Sequence, residues 1–337
     1  MKNRTYLLTA LLPLLAAVMV ASLCMGSAGL SLRELYEGLS DPSSTAYRIL
    51  LYARLPRMLG GVLAGAALAV SGALLQNVLN NSLAGPNIIG VNAGAGLGTL
   101  IVMAVSPFAI HLMPMAAFGG ALLTALFIYA VASITGASRT TLILSGVAIS
   151  SVLSAASSCI KTFFPELALS YTTFSIGSLA NTSLEQVRWA AAYAIPALLL
   201  AMILSHDMNI LALGEETAAS LGLHVRAYRF TLIVLAAVLA GAAVSYGGLI
   251  GFVGLLVPHI ARILFGGDNR QVVPASALLG AIALLICDLI GRLLFAPFEL
   301  HVGIVLSVVG GSTSSSSFCI GKEVACRDPI TQAADRL

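Results

Sequence analysis

The sequence predicts an all-α polytopic membrane protein of about ten transmembrane helices with an inverted internal repeat. Three observations lead there. Of 337 residues, 58% are hydrophobic and 9% charged, where soluble domains carry about 25% charge. The mean hydropathy of +0.98 makes lipid the expected solvent. From Met58 to Ser138 there is no Asp, Glu, Lys or Arg, an uncharged run of 81 residues. At about 20 residues per crossing of a roughly 30 Å hydrocarbon core, that run holds three spans with their turns.

Each element is an apolar run bounded by polar or Gly/Pro punctuation. The first, 6–26, follows Lys2 and Arg4. It exceeds the roughly 7–15 apolar residues of a signal-peptide core, and Leu23 stands before Cys24 where a lipid-attachment site wants a small residue, so the span reads as retained. The second, 56–76, opens at Arg54-Leu-Pro-Arg57 and gives way to amides at Gln76. The third, 88–106, begins after Pro86, and the fourth covers 113–135. The fifth, 141–161, has Thr140 and Thr141 at its start and Lys161 at its end. The sixth, 188–206, leads into a charged segment, His206 to Arg226, from which the seventh, 228–247, emerges. Spans at 249–265, 272–294 and 302–320 complete the set, with Arg292 near the end of the ninth.

Lys2 and Arg4 place the N-terminus inside. Ten Lys/Arg then lie on the cytoplasmic side and seven outside, or seven on each side without residues 312–337. The inverted repeat is suggested by Val62-Leu-Ala-Gly-Ala-Ala67, which recurs as Val238-Leu-Ala-Gly-Ala-Ala243 in the oppositely directed second and seventh spans. Small residues also serve helix packing generally, so chance is the competing account.

Composition and absent motifs exclude several functions. A net charge of +3, dispersed, does not suit phosphate tracking, so no nucleic acid is expected. Gly321-Lys322 is followed by Glu323 rather than Ser or Thr, so the chain has no phosphate-binding loop and no ATPase of its own. Neither His-Glu-x-x-His nor Gly-x-Ser-x-Gly occurs, and no catalytic or metal-ligating set is expected. The five cysteines lack Cys-x-x-Cys spacing and read as small apolar packing residues. Asp288 is the one acid well inside a span; four residues before Arg292, it reads as an intrahelical partner rather than a proton site.

Three constellations remain. The turn from Gln76 to Gly90, with Asn77, Asn80 and Pro86, needs protein or a water-filled cavity to satisfy its irregular backbone, and reads as a structural turn or as the lining of a pathway. Arg54, Arg57 and Arg292 lie on the outer face, where helix-end snorkelling competes with forked pairing to an acidic protein partner. Residues 206–226 read as two short helices on the inner face, with Glu215 and Glu216 at the start of the second and Gly222 at its end. A mere connector or a docking site both fit that segment.

These motifs resemble the permease subunits of type II ABC importers for iron–siderophore complexes, haem and cobalamin. The resemblance runs to about Gly311 and rests on Arg54-Leu-Pro-Arg57, Gly65-Ala-Ala-Leu-Ala-Val-Ser-Gly72 with Gln76, Ser82-Leu-Ala-Gly-Pro86 with Gly90, the stretch Gly248 to Arg262, and Glu299-Leu-His-Val-Gly303. It implies a dimer of ten-helix subunits in the cytoplasmic (inner) membrane, homomeric or with a close relative. It further implies two ATP-binding subunits that hold ATP and Mg, and an extracytoplasmic binding protein. Under it Arg54, Arg57 and Arg292 receive the binding protein, and Glu215, Glu216 and Gly222 couple to the ATPase. Gln76, Asn77, Asn80, Pro86, Thr140 and Thr141 then belong to the path and gate. The chain itself binds no cofactor. Siderophore is the first expectation for cargo, then haem, then cobalamin; a stand-alone secondary transporter or channel is the alternative of another class.

Residues 1–311 form the expected permease domain. After Gly311 comes Ser312-Thr-Ser-Ser-Ser-Ser317, where hydroxyls replace the apolar half-helix that the resemblance implies. A reading-frame shift near 311 or 312 would turn such serine codons into Phe and Leu codons. Two smaller departures are Ser82 and His301, each where the family usually has proline.

Overall fold

A computed structural model describes residues 2–26, 44–106, 108–134, 138–294 and 298–311. Every regular element among them is helical. In chain order these are α1 (Lys2–Cys24), α2 (Thr45–Leu79), α3 (Val91–Val105), α4 (Met113–Ile134), α5 (Arg139–Phe163), α6 (Glu166–Ile176), α7 (Leu184–Ala212), α8 (Glu215–Ser220), α9 (Val225–Gly247), α10 (Val253–Phe265), α11 (Asn269–Leu293) and α12 (Val302–Gly311). Seven are long and apolar enough to cross a membrane (α1, α2, α4, α5, α7, α9 and α11), while α3, α10 and α12 are shorter apolar helices. The chain is thus a multi-pass membrane protein; the first nine expected segments each overlap one of these helices, and the tenth is described only as far as residue 311. The polar tail from residue 312, with Cys319 and Cys326, lies outside the described residues.

Three local expectations change. α2 starts at Thr45 rather than 56, passing through one π-helical turn, Leu50–Arg54. α6 was not expected at all, since eleven residues of mixed polarity give no span signal. The segment 206–226 is not two short helices: α7 runs on to Ala212, and only α8 is separate.

The helices α2, α9 and α11 form the centre, with 78%, 72% and 61% of their spans buried, against 11% for α1 and α5. Glycine makes that packing possible. A Cβ at Gly65 would lie 2.2 Å from the carbonyl oxygen of Gly280 on α11, and one at Gly72 would lie 1.6 Å from that of Gly254 on α10. Backbones therefore touch directly, which maximises dispersion contacts where lipid supplies no hydrophobic drive between helices.

Candidate functional site

Around the start of α2 and the end of α11, three arginines engage carbonyl and carboxylate oxygens of neighbouring elements. Arg54, 5% exposed, donates to the carbonyls of Leu23 at 2.6 Å and Cys24 at 2.9 Å. Arg292, 3% exposed, donates to the carbonyls of Ser22 and Met25, each at 3.2 Å, and to Ser22 Oγ at 2.8 Å. Both guanidiniums thus satisfy the orphan carbonyls at the C-terminus of α1, where the helix dipole favours positive charge. Asp288, 1% exposed, joins two elements: Arg292 Nε lies 3.1 Å from it within α11, and Arg57 of α2 approaches both its oxygens at 2.9–3.1 Å. Arg57 also pairs with Glu299 at 2.7 Å, tying α2 to the segment before α12. The expected Asp288–Arg292 pair is present, and Arg54 and Arg292 are buried because carbonyls and a carboxylate out-compete solvent for their donors.

The turn after α2 is built differently from the pathway expectation. Gln76 and Asn77 are buried, with Gln76 Nε2 donating to the Leu255 carbonyl of α10 and Asn77 Nδ2 to the Met208 carbonyl of α7, each at 3.1 Å. Through these donors they tie helices together. Asn80 adopts the left-handed conformation (φ 47°) and closes α2: its N–H reaches the Asn77 carbonyl, and Asn81 N–H reaches that of Gln76. Pro86 does line a cavity of about 240 Å³, with Leu68, Leu83, Ile88 and Phe252 among its walls.

A second cavity of about 610 Å³ adjoins it. Its polar groups are Asn87, Asn92, Ser175 and Ser307, from the turn before α3, from α3, α6 and α12, and among the described residues no charged one lines it. Asn87, Gly251 and Phe252 line both cavities. The turn expected from Gln76 to Gly90 includes Asn87 without singling it out, and Asn92 lies beyond it. The signal available was the continuation of amides beyond the turn, but α6 and the backbone at Phe252 left no mark in hydropathy.

Beyond the C-terminus of α7, α8 is framed by glycines with positive φ, Gly214 at 109° and Gly222 at 87°. Leu223 N–H bonds to the Ala218 carbonyl and Gly222 N–H to that of Ala219, the paired bonds of a glycine-terminated helix. Ala218 is buried and seats the helix, whereas Glu216 and the flanking Leu213 (64%) and Leu221 (62%) face outward. Glu215 lies between two arginines, paired with Arg229 at the start of α9 and 3.7 Å from Arg139 at the start of α5. Ser138 caps α5 by accepting from Thr141 N–H at 3.1 Å, and its hydroxyl meets that of Thr141 at 2.7 Å; Thr140 is exposed beside it. Among the described residues no group of three or more His, Cys, Asp or Glu stands together as a metal site.

The sequence profile of the FecCD transport family matches residues 14–313. The hemin transport system permease protein HmuU of Yersinia pestis is 36% identical over 307 residues, covering 89% of this chain and 91% of that protein. The Fe(3+)-citrate import system permease protein YfmE of Bacillus subtilis (strain 168) is 38% identical over 258 residues, 76% of this chain and 78% of the relative. A solved structure described as an inward-facing, metal-chelate type ABC transporter superposes with a TM-score of 0.82 at 28% identity, covering 93% of this chain and 98% of that one.

Proposed function

The chain belongs to the FecCD transport family, and on that premise we propose that the cargo it moves is an iron–siderophore complex. It is a permease subunit of an ATP-driven importer, and ATP hydrolysis belongs to a separate subunit. The observation that carries the cargo reading is the 610 Å³ cavity: amide and hydroxyl groups without a charged residue suit the oxygen-rich, hydrogen-bonding surface of a ferric chelate. The similarity to a hemin permease favours haem as the second reading. Reconstituted with its ATPase and binding protein, the complex is expected to accumulate a radio-iron siderophore on ATP addition; accumulation of haem alone would select the second reading.

The working arrangement proposed is a permease dimer, two ATP-binding subunits holding ATP and Mg, and an extracytoplasmic binding protein, in the inner membrane with the N-terminus inside. Seven long and three shorter apolar helices support ten crossings. An inverted repeat is supported by a swap of partners: Gly65 of the second span packs on α11, the ninth, and Gly241 of the seventh span packs on Phe118 and Ala121 of α4, the fourth. Such a repeat pairs the second with the seventh and the fourth with the ninth. For the serine-rich tail a frame shift near 311 or 312 remains the proposal, supported by a family match that stops at residue 313; an intact frame on resequencing would overturn it.

Coupling is proposed to enter through α8. Leu213, Leu221 and Glu216 present a mixed apolar and acidic face to the ATPase, and Gly222 holds the turn behind it. Glu215 passes a displacement of α8 to Arg139 and Arg229, moving the start of α5 with Thr140 and Thr141, the proposed gate. On the outer side, docking is proposed to fall to Arg57, supported by its Glu299 partner, which is 30% exposed and can yield to an incoming carboxylate. Arg54 and Arg292 contribute by holding α1 beneath it. Gln76, Asn77 and Asn80 set the shape of the path indirectly, and Pro86 walls it.

A further inference from the structure

Phe252 has a backbone that its side chain disfavours. Its φ is 64° and ψ −31°, in a region where bulky residues are rare and strained. Its surroundings impose that conformation. Leu249 N–H is fixed to the Phe174 carbonyl at 2.9 Å, and the Phe252 carbonyl begins α10 by accepting from Leu255 and Leu256 N–H at 3.1 and 2.8 Å. Only one turn of chain separates those anchors. Glycine would fit without strain and flanks the position as Gly251, yet phenylalanine stands there.

The ring has a place made for it. It lies against Gly310 of α12, where a Cβ would be 2.6 Å from the ring atoms, and it is still 36% exposed. Phe252 lines two cavities, the smaller one walled by Pro86 and Leu83 and the larger one lined by Asn92, Ser175 and Ser307. We propose that Phe252 is the partition of the translocation path: its ring separates the polar cavity from the cavity beside Pro86, and passage requires the ring to leave Gly310. This rests on the permease reading and adds to it a specificity-determining residue, since the gap that opens between the ring and α12 bounds the size of what passes.

Thiol accessibility in the assembled complex tests the inference without depending on the cargo. In a chain whose five cysteines are replaced, Asn92→Cys reports on the polar cavity and Leu83→Cys on the other. A membrane-impermeant cationic methanethiosulfonate is added on the side that labels Leu83→Cys. With Phe252 present, Asn92→Cys is expected to label slowly. Phe252→Gly removes the ring and relieves the backbone, and labelling is expected to accelerate at least about tenfold, the factor that about 1.4 kcal/mol of lost barrier gives. Gly310→Ala displaces the ring from α12 without altering residue 252, and should accelerate labelling likewise; it carries the test if Phe252→Gly does not assemble. Phe252→Tyr keeps the ring and should label as slowly as the parent. Fast labelling with Phe252 in place, or equal rates in both variants and the parent, overturns the partition. Failure of the permease reading shows separately, as absence of ATP-stimulated radio-iron siderophore uptake by the cysteine-free parent with its ATPase and binding protein.

Discussion

Replacing Asp288 by asparagine should destabilise the protein more than any other single change of its charge. The side chain keeps its shape but loses the carboxylate that faces Arg57 at 2.9–3.1 Å and Arg292 at 3.1 Å. Arg292 is 3% exposed, so its charge, left with the neutral acceptors of Ser22 and Met25, cannot reach water. Breaking a buried ion pair from one side costs about 3–5 kcal/mol. At about 2–4 °C per kcal/mol for larger domains, the melting temperature should fall by about 6–20 °C. Size-exclusion recovery of the detergent-solubilised complex after heating measures it. Adding Arg292→Met to Asp288→Asn removes one stranded cation and should return part of the loss, a non-additivity expected only of groups in contact. A shift for Asp288→Asn within about 0.5 kcal/mol, the ordinary range of surface substitutions, would refute the reasoning.

The remaining expectations follow from other contacts. Gly72→Ala should abolish the folded complex, because its Cβ would meet the Gly254 carbonyl at 1.6 Å, whereas Gly119→Ala on α4, with nothing within 4 Å, should be neutral or stabilising by up to about 1 kcal/mol; recovery in size exclusion separates them. Glu215→Arg combined with Glu216→Arg puts like charge against Arg139 and Arg229, and should reduce ATPase copurification and uptake together; unchanged association would remove α8 from the coupling path. Tyr246→Phe loses the hydrogen bond to the Gly60 carbonyl at 2.9 Å between α9 and α2, and thermal melting should register about 0.5–1.5 kcal/mol.

The long helices were legible because hydrocarbon demands runs of apolar residues and the uncharged stretch from Met58 to Ser138 supplies them. Elements whose reasons are tertiary were not. α6, with Tyr171 and two threonines, is too short and too polar to announce itself, and is positioned by Phe174 and Gly177 bonding to the chain around Leu249 and Gly303. α7 continues past His206 because Asn209 is held by Asp268 and Asn269 across the inner face, which apolarity does not signal. The Asp288–Arg292 pair followed from helical spacing, but Arg57 lies 231 residues from Asp288, and only the packing of α2 on α11 brings them together. Gln76 and Asn77 stand out in the sequence because amides are rare in spans, but the carbonyls of α10 and α7 that their donors reach in the low-dielectric interior are set by tertiary packing.

The buried arginines also bear on orientation. Counted by sequence, the cations of residues 1–311 were evenly divided, seven on each side. The rule that places positive charge inside concerns groups exposed near the membrane surface, and a guanidinium held by carbonyls and a carboxylate within the protein does not enter it. Setting aside Arg54, Arg57 and Arg292 on one side and Arg229, 4% exposed, on the other leaves four outward against six inward. The bias then points the same way as Lys2 and Arg4, toward an inward N-terminus with α8 in the cytoplasm. A cysteine introduced at Ser220, exposed on α8, should be labelled by an impermeant maleimide in inverted vesicles and spared in intact spheroplasts, while one at Ser183, the exposed cap of α7, should show the reverse. The opposite pattern at both sites would invert the topology, and with it the assignment of α8 to the ATPase and of Arg57 to the binding protein.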